Sequence, residues 1–339
     1  MQYTPPTLRI SAIIPCLNEE KFIGPCLDSL MEQDIGADAY EILCVLGPSS
    51  DGTERIISGY AAQHSNIRIL HNPQRNTAIS FNIGINAARG KVVFTLGAHT
   101  TYSPNYFSVA EKYFDEYDCV GSTAKTMPRE ETLIARAICQ VLSSPFGVGN
   151  SKMRTGLSMP METDTASCPG YRREVFSRIG MFNERLRHTQ DMEFNRRLKR
   201  AGGKILATPE IVSYYKARSS LGSFCRANFV NGFWSVYPIK YSVVIPVSLR
   251  HLVPLFFVGA LLIAGGMSFV SPICRILFFG VLAAYLFAAF FYSSGIARRE
   301  RELLYLVLLP PLFLSLHILY GFGSLVAMAR LIPLKRIEA

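Results

Sequence analysis

The sequence predicts an α/β fold with a mostly parallel, doubly wound sheet, followed by a C-terminal transmembrane helical region. Three observations predict it. Up to about Tyr241, charged and apolar residues mix at periods of two and of three to four. Within that stretch strand-like runs alternate with helix-like ones, the rhythm of βαβ units. From Val243 to Ala329 charges nearly vanish from long stretches.

Leu8 to Pro15 (LRISAIIP) is a short apolar run ending at Pro, as a buried parallel strand should be. A helix follows, with Asn18 as its cap, Glu19 and Glu20 at its positive end, and Ile23, Leu27, Leu30 and Met31 on one face. Pro25 kinks it or delays its start. Glu41 to Leu46 is the next strand, and after the turn GPSSDGT a helix runs from Thr53 to Ala62, capped near Asp51. Ile67 to Leu70, a helix around Ile79 to Ala88, and the strand Val92 to Leu96 continue the pattern, and Pro104 sits where another helix opens. In such sheets ligands bind beyond the carboxyl ends of the strands, so the turns after Pro15, Leu46 and Leu96 should converge on one crevice. Ser143 to Pro169 is rich in Gly, Ser, Pro and Met without a clear period, and reads as a long loop lining that crevice. Arg173 to Ile179 and Asp191 to Ala201 read as helices, the second with an acidic start and a basic end.

Leu252 to Val270 is 19 residues without charge, Ile276 to Tyr292 is 17 and Leu303 to Ala329 is 27, with Pro310 and Pro311 inside the last. Three spans are the simplest count. With a cytoplasmic N-terminal domain, the loop holding Arg298, Arg299 and Arg301 returns to the cytoplasm, as the positive-inside rule asks. Arg330, Lys335 and Arg336 would then lie outside, and a re-entrant Pro-Pro segment is the alternative. Ser219 to Tyr241 carries Phe224, Phe229, Phe233, Trp234 and Tyr237 among Arg and Lys; it reads either as a segment on the membrane surface or as a partly buried helix pair. The expected division is 1–218 catalytic, 219–242 interfacial and 243–339 transmembrane.

The net charge is +10, yet no dense Lys/Arg run, zinc-finger spacing or nucleic-acid motif accompanies it, so nucleic acid is not an expected partner. Membrane lipid and diphosphate substrates account for the charge better. Eight scattered cysteines form no CxxC pair and read as apolar filling in a reducing compartment. The first residues show no signal peptide. Gly84 to Lys91 misses the phosphate-loop spacing by one residue, Gly147 to Lys152 lacks the third glycine of a dinucleotide fingerprint, and no Gly-x-Ser-x-Gly elbow occurs.

Four segments in order, SAIIPCLNEEKFIGPCLDSL, SSDGT, NPQRNTAISFNIGINAARGKVVFTLGAH and GYRREVFSRIGMFNERLRHTQDMEFNRRLKRAG, resemble glycosyltransferase family 2 from about Ser11 to Trp234. The likeness is strongest to bacterial exopolysaccharide transferases of the succinoglycan type, which also carry C-terminal membrane segments. The resemblance implies a Rossmann-like GT-A domain. It also implies that Pro15, Leu17 and Glu19 lie in the first nucleotide-contacting turn, that Asp51 supports the second, and that Ala98 and His99 sit at the metal and diphosphate position. Asp191 matches the general base, because inversion needs a carboxylate to take the acceptor hydroxyl proton. On position alone the reading of Asp191 as a helix cap would win, and only the family match reverses this.

Several residues depart from the family pattern. Leu46 stands where the family has an Asp for the nucleotide base, and Gly97, Ala98, His99 replace a motif led by a metal-binding Asp. Gln190 replaces the usual Glu before the base, and Asn183 a common Asp. A divalent cation, Mg²⁺ or Mn²⁺, is the cofactor implied, with His99 as its protein ligand, and the missing carboxylate leaves metal dependence open. Arg75, Lys125, Arg172 and Arg173 are candidates for the positive charge that a diphosphate leaving group needs. The reading is a multi-pass inner-membrane inverting transferase that moves sugar from a nucleotide sugar to a lipid-linked saccharide acceptor. A catalytically silent scaffold and a transferase using a lipid-phosphate sugar donor are the alternatives.

Overall fold

The computed structural model describes residues 8–242 and 248–332. Val243, Lys335 and Arg336, which entered the membrane reading, lie outside them. The chain divides into two units. One comprises the residues up to Lys125 together with Gly156–Lys216, and the other Thr126–Thr155 together with the chain from Ala217 onward.

The first unit runs β1 (Ile10–Cys16), α1 (Ile23–Met31), β2 (Tyr40–Leu46), α2 (Thr53–Gln63), β3 (Ile67–His71), α3 (Thr77–Ala87), β4 (Val92–Thr95), β5 (Thr100–Tyr102), α4 (Tyr106–Glu111) and β6 (Cys119–Pro128). Next in the chain, α5 (Leu133–Ser143), α6 (Pro145–Val148) and α7 (Lys152–Thr155) belong to the second unit. The first unit then resumes with β7 (Met161–Glu162), β8 (Ser167–Arg172), α8 (Arg173–Ile179), α9 (Gln190–Arg200) and β9 (Ile205–Ala217). Residues 143–169 are therefore not one long loop: they hold two short helices, β7 and the start of β8.

The sheet order is β3-β2-β1-β4-β8-β6-β9-β5, with β7 paired to β9. β3, β2, β1 and β4 are parallel, whereas β8 is antiparallel to both β4 and β6. Strands buried on both faces are mostly apolar, and all seven residues of β2 are buried, Glu41 being the one charged residue among them. Ile14, Ile42, Cys44 and Leu46 face one core with α1, α2 and α4, while Ile13, Leu43 and Val45 face a second with α3, α8 and α9. Alternation along each strand thus supplies both cores.

Asn18 does not cap α1. The cap is Phe22, which makes no side-chain capping bond, and the helix starts two residues before Pro25, so the ring sits in the first turn where no intrahelical N–H is lost. α3 has the cap that α1 lacks: Asn76 accepts from the backbone N–H of Ala78 and Ile79.

In the second unit, α10 (Leu221–Val236) precedes α11 (Val253–Met267), α12 (Pro272–Glu300) and α13 (Tyr305–Leu331); among the described residues three helical stretches are long and apolar enough to cross a membrane, Leu249–Met267, which contains α11, and the whole of α12 and of α13. α10 lies against α13 with backbones in close approach. A Cβ at Gly232 would overlap the Tyr320 carbonyl, and the Ser324 hydroxyl donates to the Gly232 carbonyl at 2.9 Å. Small residues permit this spacing where apolar burial alone gives helices no reason to associate. Phe224, Asn228 and Val236 are buried, so Ser219 to Tyr241 forms a packed helix whose aromatic side chains are in part covered by protein. α5 and α6 pack on the same helices: Phe146 stacks on Tyr292 and meets Phe313 edge-on.

Candidate functional site

The carboxyl ends of β1, β2 and β4 lie side by side, because the register pairs Cys16 with Leu46 and Ile13 with Thr95. The turn after each strand is tied to the others by side chains. Asn18, at φ 56°, turns the chain back so that its side-chain oxygen accepts from the Ser50 N–H at 2.8 Å, while its own N–H donates to the Ser49 hydroxyl at 3.1 Å. Asn adopts this left-handed conformation more readily than most residues. The Glu19 N–H donates to the Thr53 hydroxyl at 2.7 Å, and the Asp51 carboxylate accepts from the Glu20 N–H at 3.2 Å and from the Thr53 hydroxyl at 2.5 Å. The Thr53 hydroxyl, and then backbone N–H groups, hold the Asp51 carboxyl below its usual range. Pro15 and Leu17 are half-buried on this turn, and Leu17 packs on Gly47.

The third turn joins through His99. Its Nδ1 lies 3.0 Å from the Glu19 carboxylate, its ring meets Tyr215 edge-on at 5.3 Å, and its carbonyl accepts from the Lys216 N–H at 3.1 Å. β9 delivers Tyr215 by pairing it with Thr100. Below, the Tyr102 hydroxyl accepts from the Gly97 N–H at 2.8 Å and donates to its carbonyl at 3.1 Å, which fixes the loop backbone. Mg²⁺ and Mn²⁺ prefer several oxygen ligands. The turns offer Glu19 and His99, bonded to each other, and no cluster of three His, Cys, Asp or Glu occurs among the described residues. This donor set does not fit a cation held by the protein alone.

Asp191 stands exposed in the first turn of α9. Thr189, two residues earlier, has φ 60°, a costly conformation for a β-branched residue. Gln190 Oε1 is buried with no hydrogen-bond partner among the described residues. The loop leading here is held at the start of α3: the Asn76 amide donates to the Glu184 carbonyl at 2.7 Å, and the Asn82 amide to the Phe182 carbonyl at 2.9 Å. Asn72, which follows β3, donates to the Asn76 carbonyl and to Ser80. The segment before Asp191 is thereby anchored beside the carboxyl edge of the sheet.

Arg75 is exposed and reaches the second turn, donating to the Pro48 carbonyl at 3.5 Å. Arg172 does not reach the turns. β8 runs antiparallel to β4, so Arg172 pairs with Val92, at the amino end of β4, about 10 Å along the strand from Thr95. It lies 3.5 Å from Glu174, and Arg173 follows it at the same edge, bonded to the Lys91 carbonyl. Leu46 and Ala98 are buried core residues, 3% and 2% exposed, so their side chains pack within the protein and only their backbones lie on the turns. Lys125 stacks on the ring of Tyr214 at 5.6 Å, on the strand that carries Tyr215. Sequence reasoning missed Ser49, Thr53 and Tyr215. The first two lay in the SSDGT segment and carried a signal as hydroxyls in a turn; Tyr215 carried none, because its place depends on a strand pairing across more than a hundred residues.

The family model described as "Glycosyl transferase family 2" matches residues 11–180. Among curated proteins, the chain is 27% identical over 321 residues, 93% of its length and 95% of the relative's, to a Methanococcus voltae protein. That protein is described as "Dolichyl N-acetyl-alpha-D-glucosaminyl phosphate 3-beta-D-2,3-diacetamido-2,3-dideoxy-beta-D-glucuronosyltransferase". It is 25% identical to "Succinoglycan biosynthesis protein ExoA" of Rhizobium meliloti, over 66% of each chain. Among solved structures it resembles the mannosyltransferase PcManGT of Pyrobaculum calidifontis, determined with GDP-Man and Mn²⁺, at TM-score 0.61 and 16% identity over 96% of this chain and 90% of that one.

Proposed function

Because the chain belongs to glycosyl transferase family 2 and is a glycosyltransferase, we propose that it moves a sugar, with inversion, from a nucleotide sugar to a lipid-linked saccharide at the cytoplasmic face of a membrane. The observation that carries this reading is the tying together of the turns after β1, β2 and β4 by Asn18, Asp51 and the Glu19–His99 pair.

In this reading residues 1–218 supply the catalytic machinery, with Pro15, Leu17, Glu19 and Asp51 shaping the nucleotide site. The Asp191 carboxylate takes the proton of the acceptor hydroxyl as its oxygen attacks the anomeric carbon. The bond to the diphosphate breaks on the opposite face, so the configuration inverts. Negative charge grows on the departing diphosphate, and Arg75, reaching the second turn, is placed to meet it. Mg²⁺ or Mn²⁺, where bound, would add positive charge there, and no step is derived through it. A lipid-linked acceptor is supported by the three apolar helices and by the dolichyl-phosphate substrate in the Methanococcus relative's description. Arg298 and Arg299 in the last turn of α12, and Arg301 just after it, support the cytoplasmic side for that end of the helix.

The test is transfer of label from a panel of nucleotide sugars into the lipid fraction of membranes containing the protein, with and without EDTA, beside Asp191→Asn. Removing a general base lowers the rate about 100- to 10,000-fold. Transfer that survives in the variant would refute Asp191 as the base, and absence of transfer from every donor would refute the nucleotide-sugar reading.

A further inference from the structure

The charge of this protein is divided unequally between its two units. Over the described residues, the first unit carries 20 Lys and Arg against 20 Asp and Glu, and the second carries 13 against 4. The first unit also pairs its charges internally, as Arg68 with Glu41 at 2.6 Å and Arg197 with Glu193 at 2.9 Å. The excess therefore sits with the apolar helices. No acidic residue occurs between Glu131 and Glu162, or between Glu210 and Glu300.

Part of that excess is gathered by a specific contact. Arg250, in the short helical turn Leu249–His251 before α11, donates to the Asn150 side chain at 3.3 Å. Asn150 lies two residues before α7, which carries the exposed Lys152 and Arg154. Gly149 turns the chain with φ 65°, and a Cβ there would rest 3.7 Å from the Arg250 side chain, so the turn is built against that arginine. Beside Arg250 stand Leu249, Val253 and Phe256, exposed by 82%, 61% and 68%. Cations next to uncovered hydrocarbon are complementary to an amphiphile whose anionic head adjoins an apolar tail.

We propose that Asn150, Lys152, Arg154 and Arg250 form a binding site for the phosphate or diphosphate head of a membrane lipid, with Leu249, Val253 and Phe256 along its chain. Arg supplies a planar donor fork suited to phosphate oxygens, and Lys a mobile point charge. The site rests on the lipid-acceptor reading above for its biological ligand. Binding is measured without any sugar donor, so its outcome is independent of transfer.

The test uses the full chain in phosphatidylcholine nanodiscs, titrated with undecaprenyl diphosphate or with phosphatidylglycerol and read by native mass spectrometry of lipid adducts. Lys152→Gln with Arg250→Gln should raise the dissociation constant about tenfold, the scale of a lost charged hydrogen bond. Arg298→Gln with Arg301→Gln removes the same charge elsewhere and should leave binding within about twofold. Preference for the diphosphate lipid would assign the site to the acceptor, and equal binding would assign it to bulk anionic lipid; both keep the site. Unchanged binding in the first variant, or equal loss in both, would overturn it.

Discussion

Replacing Leu46 by Asp would restore the residue type of the family pattern, and the structure makes a definite forecast of the result. Leu46 is 3% exposed, at the end of β2, packed in the core that also holds Ile14, Ile42, Cys44 and Ile57. Losing a buried leucine side chain forfeits about 2–3 kcal/mol of transfer free energy. A polar group left there without a partner costs about 1–3 kcal/mol more. A total of about 4 kcal/mol is expected, within the range reserved for core damage. The new carboxyl would have its pKa raised by burial, because desolvation disfavours the charged form. Its destabilising effect would then be largest above the raised folded value and fade below about pH 4, where the unfolded chain is protonated too. Pulse proteolysis of the full chain in detergent, across urea at pH 5 and pH 8, reads this directly. Stability within about 0.5 kcal/mol of the parent, with a changed choice of nucleotide, would mean that the side chain faces the crevice and that the core placement is wrong.

Three further outcomes follow from the same geometry. Arg75→Ala should raise the donor KM about tenfold through loss of a charged contact, whereas Arg172→Ala, at the opposite sheet edge, should leave it within about twofold; steady-state kinetics on both decides. Asp51→Ala should cost about 1 kcal/mol as a lost turn cap, and because the folded pKa of Asp51 is lowered, its contribution is present above about pH 4 and lost as pH falls through the folded value. Urea titrations of parent and variant should therefore differ more at pH 7 than at pH 3. Gly232→Leu places a side chain against the Tyr320 carbonyl and should separate α10 from α13 at a cost of about 3 kcal/mol or more; cysteine cross-linking between the two helices would detect the loss.

The parallel part of the sheet was legible in sequence because β1, β2 and β4 are buried on both faces, so their runs are mostly apolar and stood out. The same logic located the three turns and hence most of the candidate site. It failed for Arg172. Composition does not record strand direction, and only the antiparallel entry of β8 shows that the YRR segment ends at the far edge. It failed for Asn18 because a left-handed turn residue and a helix cap use the same side chain to accept a backbone N–H. The Glu19–His99 contact joins residues 80 positions apart, and no local pattern reports a pair of that kind. The three long apolar helices were the easiest to see, since their length and apolarity are themselves the signal.

The looping-out of Thr126–Thr155 governs how this protein can be made and cut. Neither unit is a continuous length of chain, since the thirty residues from the end of β6 to the end of α7 complete the helical unit. A ribosome has delivered α5 and α6 long before α12 and α13 exist, so Ile138, Val141 and Phe146 wait without their final neighbours during synthesis. Truncation after residue 218, the natural cut for a soluble catalytic fragment, would strand those side chains permanently. Such a fragment should be sticky unless the intervening thirty residues are removed with the helices they serve.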